Sequence, residues 1–400
     1  MITALASLAL STAVSCLLTP LVRSVALRRG LLDGVTDSRK IHVGRIPRLG
    51  GIAIVLAFYT TLTAVVLSRS GGGALIKGDH QQSTPVLVGG ILIALLGFYD
   101  DLRGAGAKTK FAVQFAIAGA LYGFGFRIDH VATPLGAFWL GPLAMPVTLL
   151  WIVGVTNAVN LIDGLDGLAG GVAFIALSTL FAISLLRPEP LMMLVAATLG
   201  GSVLGFLFYN FNPASIFMGD CGSMFLGFMI ATTSIRASQE SSTAVAIMIP
   251  IVLLALPIAD TILALLRRAR RRRGLFTGDR EHIHHRLVSS GLSQRQAVIA
   301  LYALSLLCGL AALTLFIAQS RIAVAAVCLA LALNTSLLLT RLRRRPEPGA
   351  RDSALSFTPA ARAAFEHPTR QATTGSGSNG SGIPVTYVRD PTGASSRRRI

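Results

Sequence analysis

Asp100 and Asp101 stand side by side in "GFYDDLRGAGAKTK" (97–110), Asp163 and Asp166 stand three apart in "NAVNLIDGLDGLAGG" (157–171), and Asp220 lies between glycines in "IFMGDCGS" (216–223). Carboxylates in glycine-containing loops, with Arg103, Lys108 and Lys110 close by, suit a site for phosphate groups and a divalent metal. Simpler readings compete with this one. Asp100 and Asp101 are compatible with a solvated interfacial pair, although a carboxylate at a helix C-terminus meets unfavourable charge. Asp220 opens a helical stretch and fits an N-cap. A further segment, "DREHIHHRL" (279–287), gathers His282, His284 and His285. No cysteine accompanies these histidines and Arg280 and Arg286 flank them, so anion binding fits better than zinc. His282 and His284 share a face only if the segment is extended there.

These residues are embedded in a chain that is 52% hydrophobic and 14% charged, with its apolar residues in long blocks. The pattern is that of an all-α polytopic membrane protein. About eleven stretches are long enough to span a bilayer: 4–22, 49–67, 85–99, 111–126, 142–158, 168–186, 191–209, 216–235, 243–266, 296–317 and 322–340. The net charge of +18 is distributed unevenly. With the N-terminus outside, the inside loops hold Arg23, Arg28, Arg29, Arg39, Lys40, Arg45, Arg48, the three cations after Asp101, nine arginines between 267 and 295, and Arg341, Arg343, Arg344 and Arg345. The outside loops hold only Arg69, Lys77, Arg127, Arg187, Arg236 and Arg321. The positive-inside rule therefore places the N-terminus outside and the C-terminus in the cytoplasm. That orientation brings the four acidic or histidine-bearing loops to one cytoplasmic face, a placement that makes an ion-coupled transporter the weaker reading. Asp260 is the exception, about 10 Å of helix rise inside the membrane from Arg267. Pro250 and Pro257 should kink its span, and the carboxylate is expected to line or brace the inner cavity.

Other features carry less chemistry. The basic residues serve topology and anionic lipids rather than nucleic acid, because no aromatic residues interleave with them in a soluble module. Residues 1–16 read as the start of the first span rather than a cleaved signal, since no basic residue precedes the apolar part. Cys16, Cys221, Cys308 and Cys328 share no metal-type spacing. The outside loop 127–141 has the aromatic and β-branched content of a short hairpin. Residues 1–345 then form an integral membrane domain, and 346–400, rich in Pro, Gly, Ser and Arg, a disordered basic cytoplasmic tail.

Taken in order, "RKIHVGRIPRLGGIAI" (39–54), "GFYDD" with Lys110 and Gln114, "NAVNLIDGLDGLAGG", "NPASIFMGDCGSMFLG" and "DREHIHHRL" resemble the motifs of the polyprenyl-phosphate N-acetylhexosamine-1-phosphate transferases, over roughly residues 1–340. Ile283 interrupts the histidines, as in the branch that uses UDP-N-acetylglucosamine, whereas the branch using UDP-N-acetylmuramoyl-pentapeptide is expected to carry three in a row.

The resemblance implies eleven spans, a site open to the cytoplasm at the bacterial inner membrane, and transfer of N-acetylglucosamine 1-phosphate from UDP-N-acetylglucosamine to undecaprenyl or another polyprenyl phosphate. UMP and a lipid diphosphate sugar result, as the first membrane step of an envelope polysaccharide. It also implies Mg²⁺, replaceable by Mn²⁺, with Asp220 as leading ligand and Asn160 as second. Lys40, Lys110, His284, His285 and Arg286 are expected on phosphate oxygens, and His42, Asn157 and His282 among substrate-binding groups. Asp100 is expected to contact the attacking lipid phosphate as general base, with Asp101 balancing charge. Asp163 would support the phosphate region, Asp166 would accept the uracil N3–H, and Phe217 would stack on the ring. A carboxylate acting as covalent nucleophile in two displacements stays open, as does the oligomeric state, a homodimer included.

Overall fold

The computed structural model describes residues 1–31, 46–68, 71–133, 136–186, 189–239, 248–271 and 282–318. Lys40, His42, the expected last span at 322–340 and the tail at 346–400 lie outside these residues. The helices are α1 (Ile2–Arg28), α2 (Gly50–Leu67), α3 (Gly71–Gly78), α4 (His80–Arg103), α5 (Ala107–Gly123), α6 (Ala144–Ile162), α7 (Leu168–Leu186), α8 (Pro190–Asn210), α9 (Gly219–Gln239), α10 (Met248–Leu253), α11 (Ala255–Arg270), α12 (Ile283–Ser289) and α13 (Gln294–Ala318). A short antiparallel hairpin, β1 (His130–Thr133) with β2 (Gly136–Trp139), occupies the expected loop. Among the described residues, seven helices are long and apolar enough to cross a membrane: α1, α2, α4, α6, α7, α8 and α13. This is the architecture of a polytopic membrane protein.

In an apolar solvent, helices gain little from burying more apolar surface, so close backbone approach decides which of them pack together. The buried stripe of α1 is Ala4, Ser7, Ser11, Ser15 and Thr19, small residues at three- and four-residue spacing. It lies on Gly201 and Gly205 of α8, where a Cβ would collide with the carbonyls of Leu8 and Thr12. Ser15 Oγ donates to the Ser202 carbonyl at 2.6 Å across the same seam.

The same device sets α9 among its neighbours. Side chains added at Gly51 of α2 and Gly97 of α4 would strike the α9 backbone at Gly222 and Asp220, and one at Gly227 of α9 would strike the α6 backbone at Thr156. Surrounded in this way, α9 tolerates Thr232, Thr233 and Ser234 as buried residues, and these polar side chains help keep it out of the seven helices named above. Its N-terminus, bearing Asp220, is held where three helices converge.

The stretch read as one span at 243–266 is divided at Leu254 between α10 and α11. Pro257 cannot donate a hydrogen bond to the Leu253 carbonyl, and its ring crowds that oxygen, so the break falls where the sequence places the kink.

Candidate active site

Helix α4 turns into α5 through Gly104–Gly106, and Asp100 secures this turn by accepting the Ala105 N–H. Lys110, in the first turn of α5, reaches back 2.8 Å to Asp100 Oδ2 and across 2.9 Å to Asp220 Oδ2. Asn160, in the last turn of α6, donates from Nδ2 to the same Asp220 oxygen at 3.1 Å. Four elements thus meet at one carboxylate.

Asp220 was a candidate cap in the sequence, but the capping group of α9 is Asp101, supplied from another helix. Its two oxygens accept the backbone N–H groups of Asp220 at 2.8 Å and Cys221 at 3.0 Å, a favourable placement of negative charge at a helix N-terminus. Gly219 has φ +74°, and a Cβ there would collide with the Arg48 carbonyl and press on the Asp101 carboxylate, so only glycine fits.

Asp163 follows the last turn of α6, its N–H donating to the Asn160 carbonyl at 3.2 Å. Burial, reinforced by the negative charges of Asp220 and Asp101, pushes its carboxyl up to about 7 even though Arg48 acts in the opposite sense. Carboxylates outweigh the neighbouring cation at this position.

Asp166 is 3% exposed. Its Oδ2 accepts Asn212 Nδ2 at 2.9 Å and the Ala214 N–H at 3.0 Å, tying the 163–167 loop to the 210–218 loop. Asn210 makes a second tie, accepting the Gly167 N–H at 3.1 Å and donating to the Ile216 carbonyl at 2.9 Å. Tyr302 Oη donates to the Gly167 carbonyl at 2.6 Å, and Arg295 Nε to the Asn212 carbonyl at 3.0 Å, so α13 braces this wall from behind. Phe217 is partly buried, its backbone paired with Pro47 and Gly50. The carboxylate expected to read uracil therefore also shapes the loop around it.

The histidine segment closes the other side. His282 precedes α12 in an extended conformation, and its ring stacks on that of His284 with centroids 5.6 Å apart and planes 5° apart. His285 leans on His284 at 4.4 Å. His284 is buried with its Nε2 lacking a hydrogen-bond partner, and a side chain at Gly164 would overlap that nitrogen. Burial, together with the neighbouring His285, holds the His284 imidazole neutral with its pKa lowered to about 3. Arg286 is partly buried on the same short helix.

Asn157 lies one turn deeper than Asn160, and its Nδ2 is committed to Gln114 Oε1 at 2.6 Å and to the Val153 carbonyl at 2.7 Å. It thus bolts α6 to α5 beneath the site. The site brings together Asp100, Asp101, Lys110, Asn160, Asp163 and Asp220, with His284 against the 163–167 loop. The trans cap by Asp101 and the braces from Tyr302 and Arg295 were missed, because neither role leaves a local mark in the sequence.

For Mg²⁺, the donor set fits a site completed by substrate. Among the described residues no three His, Cys, Asp or Glu side chains form a closed cage. Mg²⁺ commonly takes one or two protein oxygens together with phosphate and water. Asp220 offers a carboxylate, and Asn160, whose Nδ2 now donates to it, offers its amide oxygen once the side-chain amide is rotated.

Comparison with known proteins agrees with this geometry. Residues 83–238 match the model of "Glycosyl transferase family 4". The "Probable undecaprenyl-phosphate N-acetylglucosaminyl 1-phosphate transferase" of Bacillus subtilis is 38% identical over 75% of this chain and 81% of its own length. The "Decaprenyl-phosphate N-acetylglucosaminephosphotransferase" of Mycobacterium leprae is 35% identical over 66% of this chain and 72% of its own. The "Phospho-N-acetylmuramoyl-pentapeptide-transferase" of Heliobacterium modesticaldum is 31% identical over 65% and 80%.

Proposed function

Because the chain belongs to the polyprenyl-phosphate N-acetylhexosamine-1-phosphate transferases of glycosyl transferase family 4, we propose that it transfers N-acetylglucosamine 1-phosphate from UDP-N-acetylglucosamine to a polyprenyl phosphate. A lipid phosphate oxygen bonds to the sugar-linked phosphorus, the bond from that phosphorus to the UMP oxygen breaks, and UMP leaves. The observation that carries this reading is Lys110 held between Asp100 and Asp220, where the end of the membrane-length helix α4 meets the starts of α5 and α9. There a lipid phosphate can meet a soluble nucleotide.

The full topology is read as eleven spans, with the N-terminus outside and the site facing the cytoplasm. It rests on the distribution of Arg and Lys across the loops. Residues 1–345 are assigned to the membrane catalytic domain and 346–400 to a basic cytoplasmic tail.

Each group has a task in this reaction. Asp100 orients the lipid phosphate and takes any remaining proton, while Lys110 offsets the repulsion between that phosphate and the donor. Asp220 and Asn160 would hold Mg²⁺, which supplies charge neutralisation at the diphosphate when bound. Asp101 keeps the α9 N-terminus, and with it Asp220, in register. Lys40, His284, His285 and Arg286 are assigned to phosphate oxygens, with Lys40 and His42 placed by their motif alone. The 163–167 loop and Phe217 form the nucleotide wall. Asp166 fixes that loop and is assigned the uracil N3–H.

A donor carrying N-acetylmuramoyl-pentapeptide is the second reading, favoured by the relative named for that activity. Membranes containing the protein, given Mg²⁺, polyprenyl phosphate and each radiolabelled donor separately, decide between them. Label should enter lipid from UDP-N-acetylglucosamine; entry only from the muramoyl donor would exchange the readings, and entry from neither would remove both.

A pH effect follows from His284. An anion brought to a neutral buried imidazole raises its pKa from about 3, so donor binding takes up a proton. The resulting gain in affinity is complete below the free-state pKa and is lost as pH rises through the bound-state value. Calorimetry of UDP-N-acetylglucosamine binding at pH 6 in two buffers of different ionisation enthalpy should show uptake that a His284→Asn variant lacks. Equal observed heats in the two buffers, meaning no net uptake by the unmodified protein, would exclude His284 as the group.

A further inference from the structure

Asp260 is 1% exposed on α11, between apolar turns. A carboxylate taken so far from water persists only with partners that replace its hydration. Both of its oxygens are engaged by a segment more than twenty residues later: Oδ2 lies 2.9 Å from His282 Nδ1, and Oδ1 accepts the Ile283 N–H at 2.9 Å. His282 occupies the N-cap position of α12 but makes no side-chain cap, and the carboxylate of another helix takes the N–H of Ile283, one of the four at the helix start that have no partner within the helix. A seven-residue helix is not stable in isolation, so this anchor helps decide where α12 sits.

What α12 carries gives the anchor its consequence. His284, His285 and Arg286 form its first turn, and His282, itself 5% exposed, stacks on His284. A continuous file therefore runs from Asp260 through the His282 ring to the His284 edge, which abuts Gly164 in the loop assigned to the donor. A shift of α12 by one ångström would spoil contacts to a diphosphate while sparing the wall around uridine, which Asp166, Asn210 and Asn212 hold independently.

We propose that Asp260 is a positioning residue for the donor diphosphate: through His282 and the Ile283 N–H it fixes the histidine edge that distinguishes a nucleoside diphosphate from the bare nucleoside. This rests on the phosphoglycosyl-transfer reading.

The test compares the affinities of UDP-N-acetylglucosamine and uridine, with Mg²⁺ present, in the purified full-length chain. Asp260→Ala should weaken the nucleotide sugar at least about tenfold and uridine less than about twofold, a ratio that misfolded molecules do not alter. Asp260→Asn keeps an acceptor for Ile283 and a donor for the other His282 tautomer, and should stay within about threefold of wild type. Equal weakening of both ligands by Asp260→Ala, or none, overturns the proposal, and so does an Asn variant as weak as the Ala variant. If Asp260→Ala does not fold, His282→Leu takes its place: the same tenfold loss relative to uridine is expected, and an unchanged ratio overturns the proposal. Failure of the wild-type chain to transfer sugar phosphate would instead remove the functional reading beneath it.

Discussion

Asp220→Asn is expected to lower turnover on the order of a thousandfold or more while leaving the protein folded, with an unchanged or raised melting temperature in metal-free buffer. The side chain sits where Lys110 and Asn160 converge, and its backbone N–H is fixed by Asp101. Asparagine keeps the volume and one acceptor but removes the charge that would receive Mg²⁺. The same charge is a liability in the empty site, because it contributes, after burial, to the upward shift at Asp163. Removing it relieves its repulsion with Asp101 and Asp163 as it abolishes function, a trade common at active sites. Thermal unfolding and a lipid-product assay on the same preparation check both halves. Retained turnover, or loss of fold in step with loss of turnover, would take the central role away from Asp220.

Lys110→Met should cost turnover on the order of a hundredfold and, unlike the first variant, destabilise the protein by about 3 kcal/mol. The ammonium lies within 3 Å of carboxylates on two helices, and both carboxylates are more buried than exposed. Methionine replaces the aliphatic stem and leaves two like charges facing each other. Adding Asp100→Asn should restore most of the stability and none of the activity, since it removes one of the two facing charges but leaves the site without both the ammonium and the carboxylate assigned to the lipid phosphate. A double variant that regains turnover would show that Lys110 is a structural counter-ion only.

Much of this site was legible in the sequence because each motif occupies the end of an apolar block, and alternate block ends must share one face. Asp100, Asp163, Asp220 and the histidines all sit at such ends, so the spacing of the blocks alone groups them. Pro257 likewise marked the break between α10 and α11, since the missing N–H is a local property. The lateral order of helices was not legible: it follows from Gly51, Gly97 and Gly227 meeting particular backbones, and a glycine does not name its partner. Long-range pairings were hidden for the same reason. Asp101 caps a helix more than a hundred residues away, and Asn157, expected among the substrate-binding groups, turns toward Gln114. Asp260 was flagged by its depth alone, and only packing revealed the histidine it holds.

Transfer of a sugar together with its phosphate is the reaction that sets this enzyme apart from a simple glycosyl transferase. The most direct measurement gives the purified protein polyprenyl phosphate, Mg²⁺ and UDP-N-acetylglucosamine labelled in the sugar and, with a second isotope, in the sugar-linked phosphorus. Both labels should appear in the lipid product in equal proportion, with unlabelled UMP released. Sugar label in the lipid without phosphorus label, accompanied by release of labelled UDP, would contradict it.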